Sequence, residues 1–316
     1  MQGSNNLIVY YALGGGLGHL TRAAAVLHTL ANEEPVTILT GSSFAADPRI
    51  VSSQHQIVMV PSPALHDRQL LRNFLKTLFY NLRPSRILID AFPAGVLGEF
   101  DDSLVPEGCE CHHFARLLQW STYRNRVPGS LPLFHQTFIL EDLDEDHLHE
   151  LRTTSGNLIS LDLVDPPAVI PAFAQTLVEG RSLSSGHSKR TIHSNIPLWF
   201  IVHSDSGDEL AELFSYARET ARIEGISPRF VVVSPALDPL SFALPSDAVH
   251  IDMYPAWPLF GMADRLFSAC GFNIMRQARN IRSRHVCMPF PRALDDQFRR
   301  AGRHHSNFQR SPGKAF

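Results

Sequence analysis

A run of glycines meets a histidine early in the chain. Leu13-Gly14-Gly15-Gly16-Leu17-Gly18-His19-Leu20-Thr21-Arg22 follows the apolar segment Leu7–Ala12 and leads into an alanine-rich stretch. Glycines in such a place let the backbone turn sharply and bring a ligand close with no β-carbon in between. The helix predicted after them offers unpaired N–H groups and the positive end of its dipole, a setting for an anion or a polar oxygen. A helix start also favours the neutral form of a histidine, and a neutral imidazole facing a cleft can take the proton of a hydroxyl nucleophile. His19 is therefore the candidate base, with helix capping or a bond to a neighbouring loop as the alternative. Gly15, Gly16 and Gly18 are the candidate cradle. A P-loop would end in Gly-Lys-Ser/Thr, and no lysine is present here. A dinucleotide loop would carry a glycine where His19 stands, and the acid it needs at the end of the second strand is missing from Leu39-Thr40-Gly41-Ser42.

The second half holds three further polar groups. The predicted strand Leu198–His203 ends in His203-Ser204-Asp205-Ser206-Gly207-Asp208, a polar loop before a helix, a position suited to phosphate oxygens. Asp264–Asn273 has the pattern strand, glycine turn at Gly271, then helix. Met288-Pro289-Phe290-Pro291-Arg292-Ala293-Leu294-Asp295-Asp296-Gln297 sets two prolines ahead of an acid–amide pair. A carboxylate beside an amide, Asp296 with Gln297, supplies the acceptors and the donor that grip vicinal sugar hydroxyls.

The elements that must position these groups alternate short apolar runs with amphipathic stretches, the pattern of a parallel sheet with crossover helices. Strands are predicted at Leu7–Ala12, Val36–Thr40, Ile57–Val60, Arg86–Asp90, His112–Ala115, Thr137–Leu140 and Leu158–Leu161, with helices at Leu20–Ala31 and Gln69–Leu82. A second alternation runs from Leu198 onward, through helices at Gly207–Glu224, Ala256–Ala263, Asn273–Ile281 and Asp295–Arg303. The stretch from Asp165 to Asn195 carries Pro166, Pro167 and Ser-Leu-Ser-Ser-Gly without periodicity, as a linker does. The predicted organisation is a Rossmann-like domain over residues 1–164, a linker over 165–195 and a second Rossmann-like domain over 196–316. Asp90 ends a strand on the edge where α/β sheets bind ligands, where it would orient an acceptor or cap the next turn, and the cap is the favoured reading.

The order of these motifs resembles the GT-B glycosyltransferase superfamily, most closely the branch of the peptidoglycan-lipid N-acetylglucosaminyltransferase. That branch opens on a glycine loop ending in histidine, as Gly14–His19 does. It continues with a Ser/Gly loop, a Gly-x-Asn turn and a Pro…Asp-Gln segment, matched by Ser204–Gly207, Gly271-Phe272-Asn273 and Pro291–Gln297. The resemblance implies an α/β fold of two doubly wound domains facing a cleft, with acceptor on the N-terminal side and nucleotide-sugar donor on the C-terminal side. It implies that Gly15, Gly16, Gly18, Ser204, Ser206, Gly207, Gly271 and Asn273 hold the donor diphosphate and that Asp296 and Gln297 hold the sugar. Arg276 or Arg292 would offset the charge of the leaving group, and His19 would act as base or contact the donor diphosphate. A UDP-sugar is the favoured donor. The acceptor is a hydroxyl compound, with a lipid-linked one in view; the nucleotide-sugar is a substrate, so no cofactor or metal is expected. Where relatives carry a histidine or a Gly/Ser pair, this chain has Ala269-Cys270. Two rival readings are a nucleotide-sugar binder without catalysis and a dinucleotide-dependent oxidoreductase.

Composition sets the outer limits. The 316 residues are 44% hydrophobic and 19% charged, which excludes a disordered chain. The apolar runs are far shorter than the ~20 residues that span a bilayer, and no secretory leader is evident, so a cytoplasmic protein is expected. The formal net charge of −3 hides a basic end: from Arg276 onward ten basic residues face two acidic ones. That tail suits peripheral contact with an anionic membrane surface. No nucleic-acid partner is expected, because Arg116, Trp120, Tyr123 and Arg124 read as core with an arginine rim. Cys109-Glu110-Cys111-His112-His113 crowds metal-ligand types together, but a strand sends neighbours to opposite faces and no second pair accompanies them.

Overall fold

The computed structural model describes residues 7–170, 172, 196–204, 207–235, 237–238 and 243–309. Most of the predicted linker, Ser206 and the last seven residues lie outside the described residues. The described chain divides into two compact units. One runs to Pro166 and includes Arg292–Asp296; the other holds Pro167–Pro291 and the chain from Gln297. The sequence reading placed Arg292–Asp296 in the C-terminal domain and began a helix at Asp295. The helix instead starts at Gln297, and the five residues before it pack with the first unit. Leu294 is buried among Phe92, Trp120 and Tyr123, and Gln119 N–H donates to the Leu294 carbonyl at 2.8 Å.

The first unit is built on seven parallel strands. They are β1 (Ile8–Ala12), β2 (Val36–Thr40), β3 (Gln56–Met59), β4 (Arg86–Asp90), β5 (Glu110–Ala115), β6 (Gln136–Ile139) and β7 (Leu158–Ser160), ordered β3-β2-β1-β4-β5-β6-β7. Every residue of β1 and β2 is buried, as apolar strands covered on both faces must be. Alternation sends Val9 and Tyr11 to one face, against Leu71, Leu75 and Phe79. It sends Tyr10 to the other, where Tyr10, Phe114 and Phe138 form a stacked ladder. Leu71, Leu75 and Phe79 recur every four residues along helix α2 (Arg68–Leu82), and each contributes about 1.5–3 kcal/mol on burial. Asp67 caps that helix by accepting from the N–H groups of Gln69 and Leu70. Helix α1 (Leu17–Thr29) follows β1 directly. Its N-cap is Gly16, so no side chain caps it. Two shorter helices, α3 (Trp120–Arg124) and α4 (Glu145–Thr154), follow β5 and β6.

The second unit repeats the plan with five parallel strands: β8 (Leu198–Val202), β9 (Arg229–Val233), β10 (Ala248–Ile251), β11 (Arg265–Ala269) and β12 (His285–Met288), ordered β10-β9-β8-β11-β12. Helix α5 (Asp208–Glu224) packs Leu210, Leu213, Phe214 and Ala217 on Trp199, Ile201, Val232 and Phe267. It stops at Gly225, whose φ of 65° suits the left-handed helix terminus that glycine adopts freely. Helices α6 (Phe272–Gln277) and α7 (Gln297–Gln309) complete the described part. The predicted helix Asn273–Ile281 breaks at Ala278, since Ile281 has non-helical dihedrals. Both sheets change direction beside their first strand, between β1 and β4 and between β8 and β11. Ligands of open α/β sheets bind at the carboxyl ends of strands at such a reversal.

Candidate functional site

The glycine loop leaves the carboxyl end of β1 and delivers His19 as the third residue of α1. β4 lies beside β1 and ends in Asp90, so the two side chains meet although 71 residues separate them. Asp90 is not a turn cap. Its Oδ2 is 2.5 Å from His19 Nδ1 and accepts from Arg22 Nη2 at 2.6 Å. Its Oδ1 accepts from Arg22 Nε at 2.5 Å and from the Tyr10 hydroxyl at 3.3 Å. A fork of this kind between guanidinium and carboxylate is the strong form of an ion pair. Sequence reasoning missed Arg22, although it sits one helical turn after His19 on the same face.

The electrostatics follow from these contacts. Burial alone would raise the Asp90 pKa, but the charges and hydrogen bonds of Arg22 and His19 outweigh it and hold the carboxyl well below its ordinary range. Burial lowers the His19 pKa; Asp90 pulls it up again, and Arg22 and Arg116 oppose that, so the ring stays neutral at physiological pH. With Asp90 ionised, Nδ1 carries the proton and donates it to Oδ2. Nε2 is then the basic nitrogen. The geometry is that of a neutral histidine oriented by a carboxylate, able to accept a proton at Nε2.

Gly14 makes room for the ring. A β-carbon there would collide with the His19 imidazole, whereas one on Gly15 or Gly16 would meet open space. Gly15, Gly16 and Gly18 are exposed. Gly14→Ala is expected to displace His19 and destabilise the unit by about 1–3 kcal/mol, the usual result of overpacking. Gly15→Ala and Gly16→Ala should stay within about 0.5 kcal/mol of the parent. Denaturant melts of the three variants check this, and equal losses in all three would contradict it.

The loop after Asp90 is fastened along its length. Ala91 has a φ of 65°, a left-handed conformation that costs a non-glycine residue on the order of 1–3 kcal/mol, and Phe92 N–H donates to the Asp90 carbonyl at 2.7 Å. The Tyr123 hydroxyl donates to the Gly95 carbonyl and accepts from Ala94 N–H. Glu99 is buried and accepts from the N–H groups of Val96 and Leu97 and from the Tyr11 hydroxyl. Arg116, at the end of β5, lies over the Phe92 ring and pairs with Asp295.

In the second unit, Ser204 and Gly207 follow β8, and Gly207 is the N-cap of α5. His203 beside them is 3.1 Å from Glu209 through Nε2. β11 is the neighbour of β8, and past its end stand Gly271, the N-cap of α6, then Asn273 and Arg276 within that helix. These predicted residues therefore share one edge of the sheet. Gln297, the expected sugar contact beside Asp296, has its side chain drawn inward. It is buried, and its Oε1 accepts from Cys270 N–H at 3.3 Å and Phe290 N–H at 3.1 Å, tying the turn after β11 to the turn after β12. Asp296 and Arg292 group with the first unit, where the Arg292 carbonyl accepts from Gln119 Nε2 at 2.6 Å. Among the described residues no helix is long and apolar enough to cross a membrane, and no three metal-ligating side chains converge.

Acid pH tests the buried imidazoles. Burial pushes His113 down to about 4 and His285 down to about 3. His285 Nε2 is 2.8 Å from Ser268 Oγ in the second unit. Unfolded histidines titrate near 6.5, so below that pH the unfolded chain binds protons that the folded one refuses. Stability is whole above about pH 6.5 and is lost as pH falls toward 4 and then 3, by roughly 3 kcal/mol for His113 and nearer 5 for His285. Carboxylates with depressed pKa values, Asp90 included, act only below about 4. Urea titrations at pH 7, 5.5 and 4.5 should show a steady loss, and a flat profile would refute it.

No protein-family model matches the chain, and no curated protein matches it. Solved structures do. The spinosyn forosaminyltransferase SpnP aligns with a TM-score of 0.59 at 15% identity, over 98% of this chain and 86% of that one. The glycotransferase of kitacinnamycin gives 0.56 at 16%, over 95% and 84%. CalG4, the calicheamicin glycosyltransferase, gives 0.55 at 11%, over 95% and 83%. At these identities the likeness is one of fold, and it agrees with the two parallel sheets: the chain has the α/β architecture of GT-B glycosyltransferases, two Rossmann-like domains in series.

Proposed function

We propose that the chain transfers a sugar from a nucleotide-sugar to a hydroxyl acceptor, with His19 as the base and Asp90 orienting it. The observation that carries this reading is the buried pair of His19 and Asp90 at the reversal of the first sheet, with Nδ1 committed to the carboxylate and Nε2 left basic. The acceptor hydroxyl gives its proton to Nε2 as its oxygen bonds to the anomeric carbon. The bond from that carbon to the diphosphate oxygen breaks, and the nucleoside diphosphate leaves with the electron pair. The transition state has oxocarbenium character, as in glycoside hydrolysis. Asp90 steadies the imidazolium that forms, and Arg22 keeps Asp90 ionised throughout.

The donor diphosphate is assigned to Ser204, Gly207, Gly271 and Asn273, with Arg276 offsetting the departing charge. Asp296 is assigned to the sugar, and Gln297 to holding the loop after β11. The motif order supports a UDP-sugar donor and the peptidoglycan-lipid branch of the superfamily. With the basic tail it supports a lipid-linked acceptor and work at the cytoplasmic face of a membrane. The fold shared with those glycosyltransferases supports sugar transfer in general.

The test is a thermal-shift panel of UDP-, GDP- and dTDP-sugars, free nucleotides, NAD(H) and FAD, followed by assay of nucleotide release. A ligand held only by the native state raises the melting temperature by mass action. Stabilisation by one nucleotide-sugar, weakened in Asp296→Ala, is the expected result. Stabilisation by a dinucleotide alone would overturn the reading.

A further inference from the structure

His113 has no part in the reaction just described, yet it reaches the backbone on which the pair depends. It stands on β5 opposite Ile89 of β4, one residue short of Asp90. It is fully buried, its ring stacked on Phe134 with centroids 5.0 Å apart. Its Nε2 is 3.2 Å from the carbonyl oxygen of Ala91. A carbonyl only accepts, so Nε2 carries the proton and donates, and the other ring nitrogen has no partner among the described residues. Ala91 is the left-handed residue directly after Asp90. Its N–H is held by the Phe114 carbonyl at 3.1 Å, so the His113 bond fixes the other end of the same residue.

We propose that His113 is a positioning residue for the His19–Asp90 pair, clamping the Asp90–Phe92 turn through its bond to the Ala91 carbonyl. A left-handed alanine persists only where its surroundings hold it. If that turn relaxes toward ordinary dihedrals, Asp90 rotates away from His19, and the single tautomer that leaves Nε2 basic is no longer enforced.

The experiment is nitrogen-15 NMR of the histidine rings in the full chain, which reports tautomers directly. In the parent, His19 should read as the Nδ1–H form and His113 as the Nε2–H form. His113→Leu should leave His19 a mixture of tautomers, and His113→Gln, whose amide can still donate, should restore the single form. Adding Ala91→Gly to His113→Leu should restore it as well, because glycine holds a positive φ without a clamp. A parent His113 in the Nδ1–H form overturns the inference without any variant, and so does a folded His113→Leu chain whose His19 stays wholly Nδ1–H. A merely structural role would lower the melting temperature without touching the tautomer. The kinetic arm rests on the sugar-transfer reading: turnover in His113→Leu should fall roughly 10- to 100-fold with donor KM kept. Because the tautomer needs no substrate, failure of that reading and failure of this inference are told apart.

Discussion

Turnover of the His19→Ala variant is expected to fall by about 10²–10⁴-fold, the share of rate that a positioned general base supplies. The donor should bind almost as before, because His19 is not among the residues assigned to hold it. A fall in kcat with an unchanged donor KM is the signature of a group that acts in the transition state alone. Asp90→Asn should come close to the same loss while keeping the side-chain shape. An asparagine can offer its amide N–H to Nδ1, which would move the ring proton to Nε2 and turn the base into a donor. The double variant His19→Ala/Asp90→Asn should then be little slower than either single one, since residues acting as a unit are not additive. Nucleotide release measured at saturating donor checks all three chains. If His19→Ala transfers at the parent rate, the base is elsewhere; if the parent itself binds a nucleotide-sugar but never turns it over, the chain is a binder of that fold.

What could be read from the sequence here was local, and what could not was set by strand order. Glycines 14–16 followed by His19 mark a strand–loop–helix junction, so the position of the candidate base was legible. Its partner was not. Asp90 was visible as a carboxylate at the ligand edge, but only the order β3-β2-β1-β4 sets β4 beside β1 and brings it to His19. No periodicity within either segment encodes that adjacency. Arg22 left a usable signal, since a histidine and an arginine three apart on a helix lie on one face, and where that face is buried the arginine needs a counter-charge. Asp296-Gln297 shows a different limit of a linear reading. Adjacent residues were taken as one grip, whereas the chain passes from one compact unit to the other between them and commits the Gln297 oxygen to two backbone N–H groups. His113 was hidden inside a cysteine- and histidine-rich run whose strand alternation was recognised, but whose reach to Ala91 depends on register with β4.

Arg22→Met is expected to be among the most destabilising single substitutions of a charged residue in the first unit. Asp90 and Arg22 are 1% and 2% exposed, so the ion pair is out of water. Removing one partner of such a pair typically costs about 3–5 kcal/mol, because the remaining charge has lost its compensation. That is a large part of the 5–15 kcal/mol that holds a typical domain together. The variant can relieve the cost in two ways: Asp90 takes up a proton, or His19 becomes its counter-ion and titrates upward. Both routes end the arrangement of neutral imidazole and ionised carboxylate, so turnover should fall with stability. Arg22→Met combined with Asp90→Leu separates the two effects. With no charge left to compensate, most of the stability should return, as it does when buried ion pairs give way to apolar side chains of similar size. Turnover should not return, because His19 then has nothing to orient it. Urea melts and initial rates on the single and double variants decide the matter. A single variant within about 0.5 kcal/mol of the parent would mean that Asp90 does not depend on Arg22 for its charge.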